Sequence, residues 1–304
     1  MLMNSDVEML RDQLRDRIAA DVHLCNLDIL HVATPSARLF TRRVPIADLS
    51  LGESRIGGLP DLPPDVEWPR WMPSSPRDDK FGQLWHPERS APLGFIAQID
   101  LAAIPRIDVA LPERGWLYFF YDRYCEPWGY DPDDRGSCRV IYADCDQRTL
   151  KRSDPPPDSD LEHVTEACRV EFRTELTLPD DLPGTEYGSS AYQPYSELRQ
   201  HLANADGPRH QLLGYPAVIQ NPMELECQLV SNGIYCGNTT GYRSEQAKAL
   251  ADGARDWRLL LQIDSDEAGP GWMWGDVGMI YFWIKRDDLA SQRFDDVWLI
   301  FQCC

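Results

Sequence analysis

The chain of 304 residues has little of what marks a catalytic or metal-binding protein. It has no C-x-x-C pair and no two histidines at i, i+4 spacing, so the clustered ligands that zinc needs are missing, and no metal or cofactor is expected. No G-x-S-x-G elbow, P-loop or G-x-G-x-x-G motif occurs. Triads assembled from distant positions stay open. No apolar run approaches the ~20 residues that span a bilayer. Positive charge is also scarce, and the excess of acid gives a net charge of −19. Acid repels phosphate backbones and anionic lipid, so neither nucleic acid nor a membrane is expected as a direct partner. The N-terminus "MLMNSDVEMLRDQLRDR" carries acids where a secretory signal would carry its apolar core. The nine cysteines are odd in number and irregularly spaced, which reads as reduced thiols. These features predict a soluble, cytoplasmic, monomeric protein.

Aromatic and proline residues, by contrast, are plentiful. Val7, Leu10, Leu14 and Ile18 recur at helical steps and predict an N-terminal helix over 5–20. "GGLPDLPPDVEWPRWMP" holds five prolines, which exclude regular helix and central strand, so it reads as an ordered loop whose Trp68 and Trp71 cover apolar surface. "LGFIAQIDL", "GWLYFFYD" and "CRVIYAD" read as buried strands. "KRSDPPPDSD" at 151–160 reads as a linker stiffened by Pro155, Pro156 and Pro157, with a strand after it. Residues 189–204 and 244–256 have helical composition, and strands at 258–263, 278–284 and 297–303 close the chain.

Two phrases occur twice. "FIAQID" precedes a Gly-led aromatic strand, "GWLYFF", and "LLLQID" precedes "GMIYFW"; "GGLP" is answered by "LGYP". The order turn, "QID" strand, aromatic strand, closing strand predicts an internal duplication. The expected fold is α+β and β-rich. It is a single domain over 1–304, built from two duplicated β-sheet units with peripheral helices. Pseudo-repeat 1 covers about 52–150, an acidic linker and strand 151–181, and pseudo-repeat 2 about 205–304.

The segments "GGLPDLPPDVEWP", "LGFIAQIDL", "LPERGWLYFFYD", "HQLLGYPAVIQ", "WRLLLQIDSDE", "WGDVGMIYFWIKRDDL" and "VWLIFQC" run from about residue 55 to the C-terminus. On these the chain resembles the YwqG-like proteins, a mostly bacterial family of unknown function. The resemblance implies a β-rich α+β domain and no catalytic residues to carry over. It also implies a tie to toxin neutralisation in bacterial competition, which some relatives are thought to perform.

Candidate chemistry centres on "QIDSDEAGPGWMWGD". Asp264 and Asp266 would share a side of a strand, and with Glu267 and Asp276 they could hold Mg²⁺ or act as acid and base. Trp272 and Trp274 are candidate walls. The competing role for Asp264, as for its counterpart Asp100, is to end a strand by bonding turn amides. His210 in "RHQLLGYP" is the best-placed histidine, with a buried structural role as its alternative. "DPDDRGSCRVIY" lacks the closing carboxylate of a calcium loop and reads as a turn. From Asp154 to Asp181 nine acids face two arginines. Asp158, Asp160, Glu162 and Glu166 are its binding candidates for a basic protein partner, with a solvated face as the plain alternative.

The leading expectation is a non-catalytic acidic binding protein, in its most concrete form an immunity-type protein neutralising a basic toxin. The alternative is an enzyme or small-ligand binder that uses an aromatic, carboxylate-lined cleft between the repeats.

Overall fold

The apolar runs of the sequence become strands of a single ten-stranded sheet. In chain order they are β1 (Thr34–Arg43), β2 (Arg55–Ile56), β3 (Gly94–Asp100), β4 (Trp116–Tyr121), β5 (Cys138–Ala143), β6 (Cys168–Thr177), β7 (Gln211–Leu212), β8 (Trp257–Asp264), β9 (Met279–Lys285) and β10 (Trp298–Gln302). The computed structural model describes residues 5–78, 82, 84–85, 90–159, 165–203 and 207–304. Across the sheet the order is β5-β4-β3-β2-β6-β1-β7-β8-β9-β10, with antiparallel neighbours throughout. The fold is a β-rich α+β domain. Among the described residues no helix is long and apolar enough to cross a membrane.

The order reads alike from either end. β2 to β5 on one side answer β7 to β10 on the other, and β6 and β1 lie together between them. These central strands are exchanged: β1 pairs with β7 of the second half, and β6 with β2 of the first. The correspondence thus takes in β1 and β6, which lie outside the limits 52–150 and 205–304 expected from the sequence.

Several backbone bonds recur at equivalent places in the two halves. Leu39 N–H donates to the His210 carbonyl (3.0 Å), and Val170 N–H to that of Ser54 (3.2 Å). Gly57 N–H reaches the Ile96 carbonyl (2.9 Å), and Leu213 N–H the Leu260 carbonyl (3.1 Å). Both "QID" strands carry a bulge, between Phe95 and Ala97 in β3 and between Leu259 and Leu261 in β8. Such a bulge adds twist and bends the strand.

The bending brings the free edges β5 and β10 towards each other, so the sheet nearly closes. Arg139 and Arg135 meet Asp295 and Asp296 across this seam, each at 3.6 Å. Trp298 Nε1 donates to the Gly129 carbonyl (2.8 Å), and Phe301 N–H to that of Trp128 (3.0 Å). Gly129 has φ +85°, and a Cβ there would collide with the Leu299 carbonyl, so the seam requires glycine at this point.

Both aromatic strands are buried on two faces, which explains their unbroken apolar runs. Leu117, Phe119 and Tyr121 of β4 point into one core with Ile280, Phe282 and Ile284 of β9. Phe119 and Phe282 meet edge to face there, at 5.2 Å. The other face of β4 is covered by the proline-rich loop through Leu62, Trp68 and Trp71. The other face of β9 lies against helix residues Cys227, Leu229 and Val230, whose helix, Glu224–Ser231, the sequence pattern did not reveal. α1 (Ser5–Ala20) and α2 (Tyr192–Leu202) cover the centre, where Leu14, Ile18, Tyr195 and Leu198 pack on Leu176 and Leu178. The expected linker begins inside the fold, since Lys151 and Arg152 pair with Leu62 and Asp61.

Candidate functional site

The bulged "QID" strands end beside a pair of buried glutamines. Gln98 Oε1 accepts the Asp61 N–H (2.7 Å) while its Nε2 donates to the Glu53 carbonyl (3.2 Å). Gln262 Oε1 accepts the Ala217 N–H (2.8 Å) while its Nε2 donates to the Arg209 carbonyl (2.6 Å). Each half uses its glutamine to pin the turn that carries "GGLPD" or "LGYPA".

The carboxylates expected to do chemistry lie just beyond Gln262. Asp264 N–H donates to His210 Nδ1 (3.1 Å), so that ring nitrogen is the acceptor and the proton resides on Nε2. Nε2 faces Asp266 Oδ2 at 3.3 Å, and both side chains are buried. Asp266 Oδ2 also accepts the Thr41 hydroxyl (3.1 Å), and Oδ1 the Gly269 N–H (2.7 Å). Burial alone would raise the Asp266 carboxyl, but the bonds from His210, Gly269 and Thr41 outweigh it and hold it below the ordinary range. Asp264 Oδ2 accepts the Arg209 N–H (2.7 Å). It therefore caps an amide of the neighbouring segment, whereas Asp100 caps its own turn through Ala102 (3.0 Å).

His210, Asp264 and Asp266 are thus brought together as a latch between the start of β7 and the end of β8. Glu267 and Asp276 are exposed and take no part in it. Trp272 and Trp274, expected as cleft walls, are instead core residues, 5.3 Å apart, and Trp274 Nε1 donates to the Asp264 carbonyl (3.2 Å). Among the described residues no three His, Cys, Asp or Glu side chains gather as a metal-holding group. In the loop at 131–142, Asp131 caps the Asp133 N–H (2.9 Å) and Asp134 pairs with Arg77 (2.5 Å).

The first half carries a buried ion-pair network elsewhere in the shared frame. Asp61 and Arg55 are both fully buried and paired; Arg152 Nε joins Asp61 Oδ1 at 2.9 Å, and the Gly52 N–H donates to Oδ2 (2.8 Å). Burial would raise the Asp61 carboxyl, yet bonds from Arg152 and Arg55 bring it below its usual value. At the equivalent places the second half has Gln211 and Ala217. Arg55 Nη1 donates to the Leu59 carbonyl (2.8 Å), as Gln211 Nε2 does to that of Tyr215 (2.9 Å).

The acidic stretch is not one face. Asp158 pairs with Arg70 on the surface, Glu166 is exposed beyond the central strands, and Asp180 pairs with Arg199 of α2. Asp160 and Glu162 lie outside the described residues.

A half-open cavity of about 160 Å³ lies between α2, the outer face of β1 and β6, and the segment leading into β7. Arg38, Glu175, Arg199 and Arg209 supply its charged wall. Arg38 is only 2 % exposed, and its Nη2 donates to the Pro208 carbonyl (2.7 Å). Its Nε has no hydrogen-bond partner among the described residues. Burial lowers the Arg38 pKa, Glu175 works against this, and Arg209 adds to it. Sequence reasoning missed this site. Its signal was an arginine at Arg38 flanked by the buried apolar residues Ala37 and Leu39.

A wider groove of about 490 Å³ follows the seam, where Arg77, Glu126, Trp128 and Asp131 of the first half face Gly275 and Phe301 of the second. Trp128 is 38 % exposed and stacks on Phe301 at 4.9 Å. Glu126 has φ +47°, and Val277, a β-branched residue near the opposite wall, has φ +52°. Such strain in non-glycine residues persists only where the surroundings enforce it.

No curated protein matches the chain. A family match covers residues 54–303, from β2 to the end of β10, and by it the chain belongs to the family described as a domain of unknown function, DUF1963.

Proposed function

We propose that the chain is a non-catalytic binding protein that docks a basic protein partner. Immunity-type neutralisation of a basic toxin is its concrete form, a YwqG-like protein its narrower family, and duplication of one β-sheet unit the origin of its two halves. The seam groove carries the reading. Its wall sets Asp78, Glu126, Asp131 and Asp134 against Arg77, the one cation among its described lining residues, and Trp128 offers an aromatic face on which a lysine or arginine side chain can lie. The −19 charge adds long-range attraction for a basic protein. The His210–Asp266 latch supports the non-catalytic part, because both ring nitrogens and both carboxylate oxygens are committed to structural bonds.

The test is association kinetics with a partner captured from native lysate, measured at two salt concentrations. Screening shortens from ~10 Å at 0.1 M to ~3 Å at 1 M salt, so the on-rate should fall steeply. Trp128→Ala should weaken the complex at least about tenfold if the groove is its centre. Neutralising Asp158, Asp160, Glu162 and Glu166 together shows whether the acidic stretch shares in the attraction. A salt-independent on-rate, or a Trp128→Ala complex of unchanged affinity, would overturn the proposal.

A second reading, a small-ligand binder, is favoured by the arginine-lined cavity.

A further inference from the structure

Arg38 and Arg169 hold equivalent places in the two halves. Arg38 stands opposite Gln211 of β7, and Arg169 opposite Arg55 of β2. Arg169 has an acid in front of it, since its Nε is bound to the Glu53 carboxylate. Glu53 and Arg209 are equivalent as well, because their carbonyls receive the Nε2 groups of Gln98 and Gln262. Where the first half sets a carboxylate before its arginine, the second sets another arginine.

This exchange leaves the Arg38 guanidinium short of an acceptor. Its Nη2 is held by the carbonyl of Pro208, but its Nε is buried and unpartnered among the described residues. A buried donor without an acceptor is costly, and a charged one more so. The Arg209 side chain makes no hydrogen bond or ion pair among the described residues, and it lines the same cavity. Arg199, on the α2 wall, is already paired with Asp180.

We propose that this cavity binds a small monocarboxylate, whose oxygens bridge Arg38 and Arg209 in the place that the Glu53 carboxylate fills before Arg169. Guanidinium forks match carboxylate geometry, and two of them can hold one anion from two sides. Glu175 on the wall disfavours a second negative charge on the ligand and offers an acceptor to a hydroxyl or ammonium group. The volume, about 160 Å³, lies below the 300–1,000 Å³ of pockets for larger ligands and suits a short-chain acid. The site is separate from the seam groove, so each proposal can fail without the other.

The experiment is an NMR titration of the full chain with sodium propionate, following the arginine Nε–H signals. Inorganic phosphate and sodium chloride at equal ionic strength are the comparison arms. A saturable shift of the Arg38 and Arg209 signals with propionate is expected. Arg209→Glu, which recreates the internal carboxylate of the first half, should weaken propionate binding at least tenfold while the chain stays folded. If that variant does not fold, Arg209→Gln should show the same loss. Saturation by phosphate alone, an equal response to chloride, or unchanged affinity in the variant that folds would overturn the assignment.

Discussion

Gln98 and Gln262 stand in equivalent strands and make the same two bonds, yet the amide each one pins belongs to a different chemistry. Gln98 holds the N–H of Asp61, whose carboxylate is buried between Arg55 and Arg152; Gln262 holds the N–H of Ala217. Tyr118 and Tyr281 complete the likeness, each donating its hydroxyl to the carbonyl of that same residue at 2.7 Å. One backbone frame thus carries an ionic filling in one half and a neutral filling in the other.

The frame therefore predicts which substitutions are tolerated. Asp61→Ala alone leaves Arg55 buried without its anion and should cost about 3–5 kcal/mol. The double variant Arg55→Gln, Asp61→Ala copies the Gln211 and Ala217 of the second half and should recover most of that loss. Urea denaturation at neutral pH measures both. A double variant less stable than Asp61→Ala would show that the two halves are not interchangeable here.

The exchanged central strands make a different forecast. β1 is held in the second half's sheet and β6 in the first's, so neither half keeps its own leading strand. A protease site inserted at 160–164 and then cut should leave two fragments that migrate together on gel filtration and separate only in denaturant. Fragments that part under native conditions would contradict the exchange.

Asp264 separates a structural latch from a metal or acid–base site. Its Oδ2 accepts the Arg209 N–H, a bond that asparagine can also accept. Asp264→Asn should therefore melt close to wild type, while Asp264→Ala should lose about 1–3 kcal/mol through the unpaired amide. Mg²⁺ or Ca²⁺ should leave the wild-type melting temperature unchanged. A metal-dependent rise that vanishes in Asp264→Asn would make Asp264 a ligand.

Glu226 gives the clearest pH signature. Burial pushes its carboxyl up to about 7, with a bond to Tyr242 opposing the rise only in part. The folded state thus holds a proton that the unfolded chain releases near pH ~4.3, the ordinary glutamate value. Its contribution to stability is full below that pH, declines as pH rises towards about 7, and stays lost above it. Glu226→Gln should flatten this decline and be more stable than wild type at pH ~8. Denaturation midpoints across the range test it, and parallel curves for the two proteins would refute it.

Alternation, bulk and repetition were enough to place β3, β4, β8 and β9, because a strand buried on both faces writes an unbroken apolar run. The repeated "QID" was legible for the same reason, each glutamine being a lone polar group in such a run. The two-residue strands β2 and β7 have no period to read. The exchange of β1 and β6 leaves no local mark, since an antiparallel partner is chosen by the whole sheet and not by the strand. The candidate site divides along the same line. Asp264 and Asp266 were legible as near neighbours in sequence and His210 as a separate candidate, but only the tertiary bonds among them and to Thr41, Gly269 and Arg209 made them a latch. Trp272 and Trp274 pack on each other inside the main core, a placement that composition does not record. Arg38 and Arg209 are far apart in the chain, and only sheet pairing and the packing of α2 close a cavity around them. Sequence determines which side chains must leave water; tertiary pairing decides which distant ones leave it together.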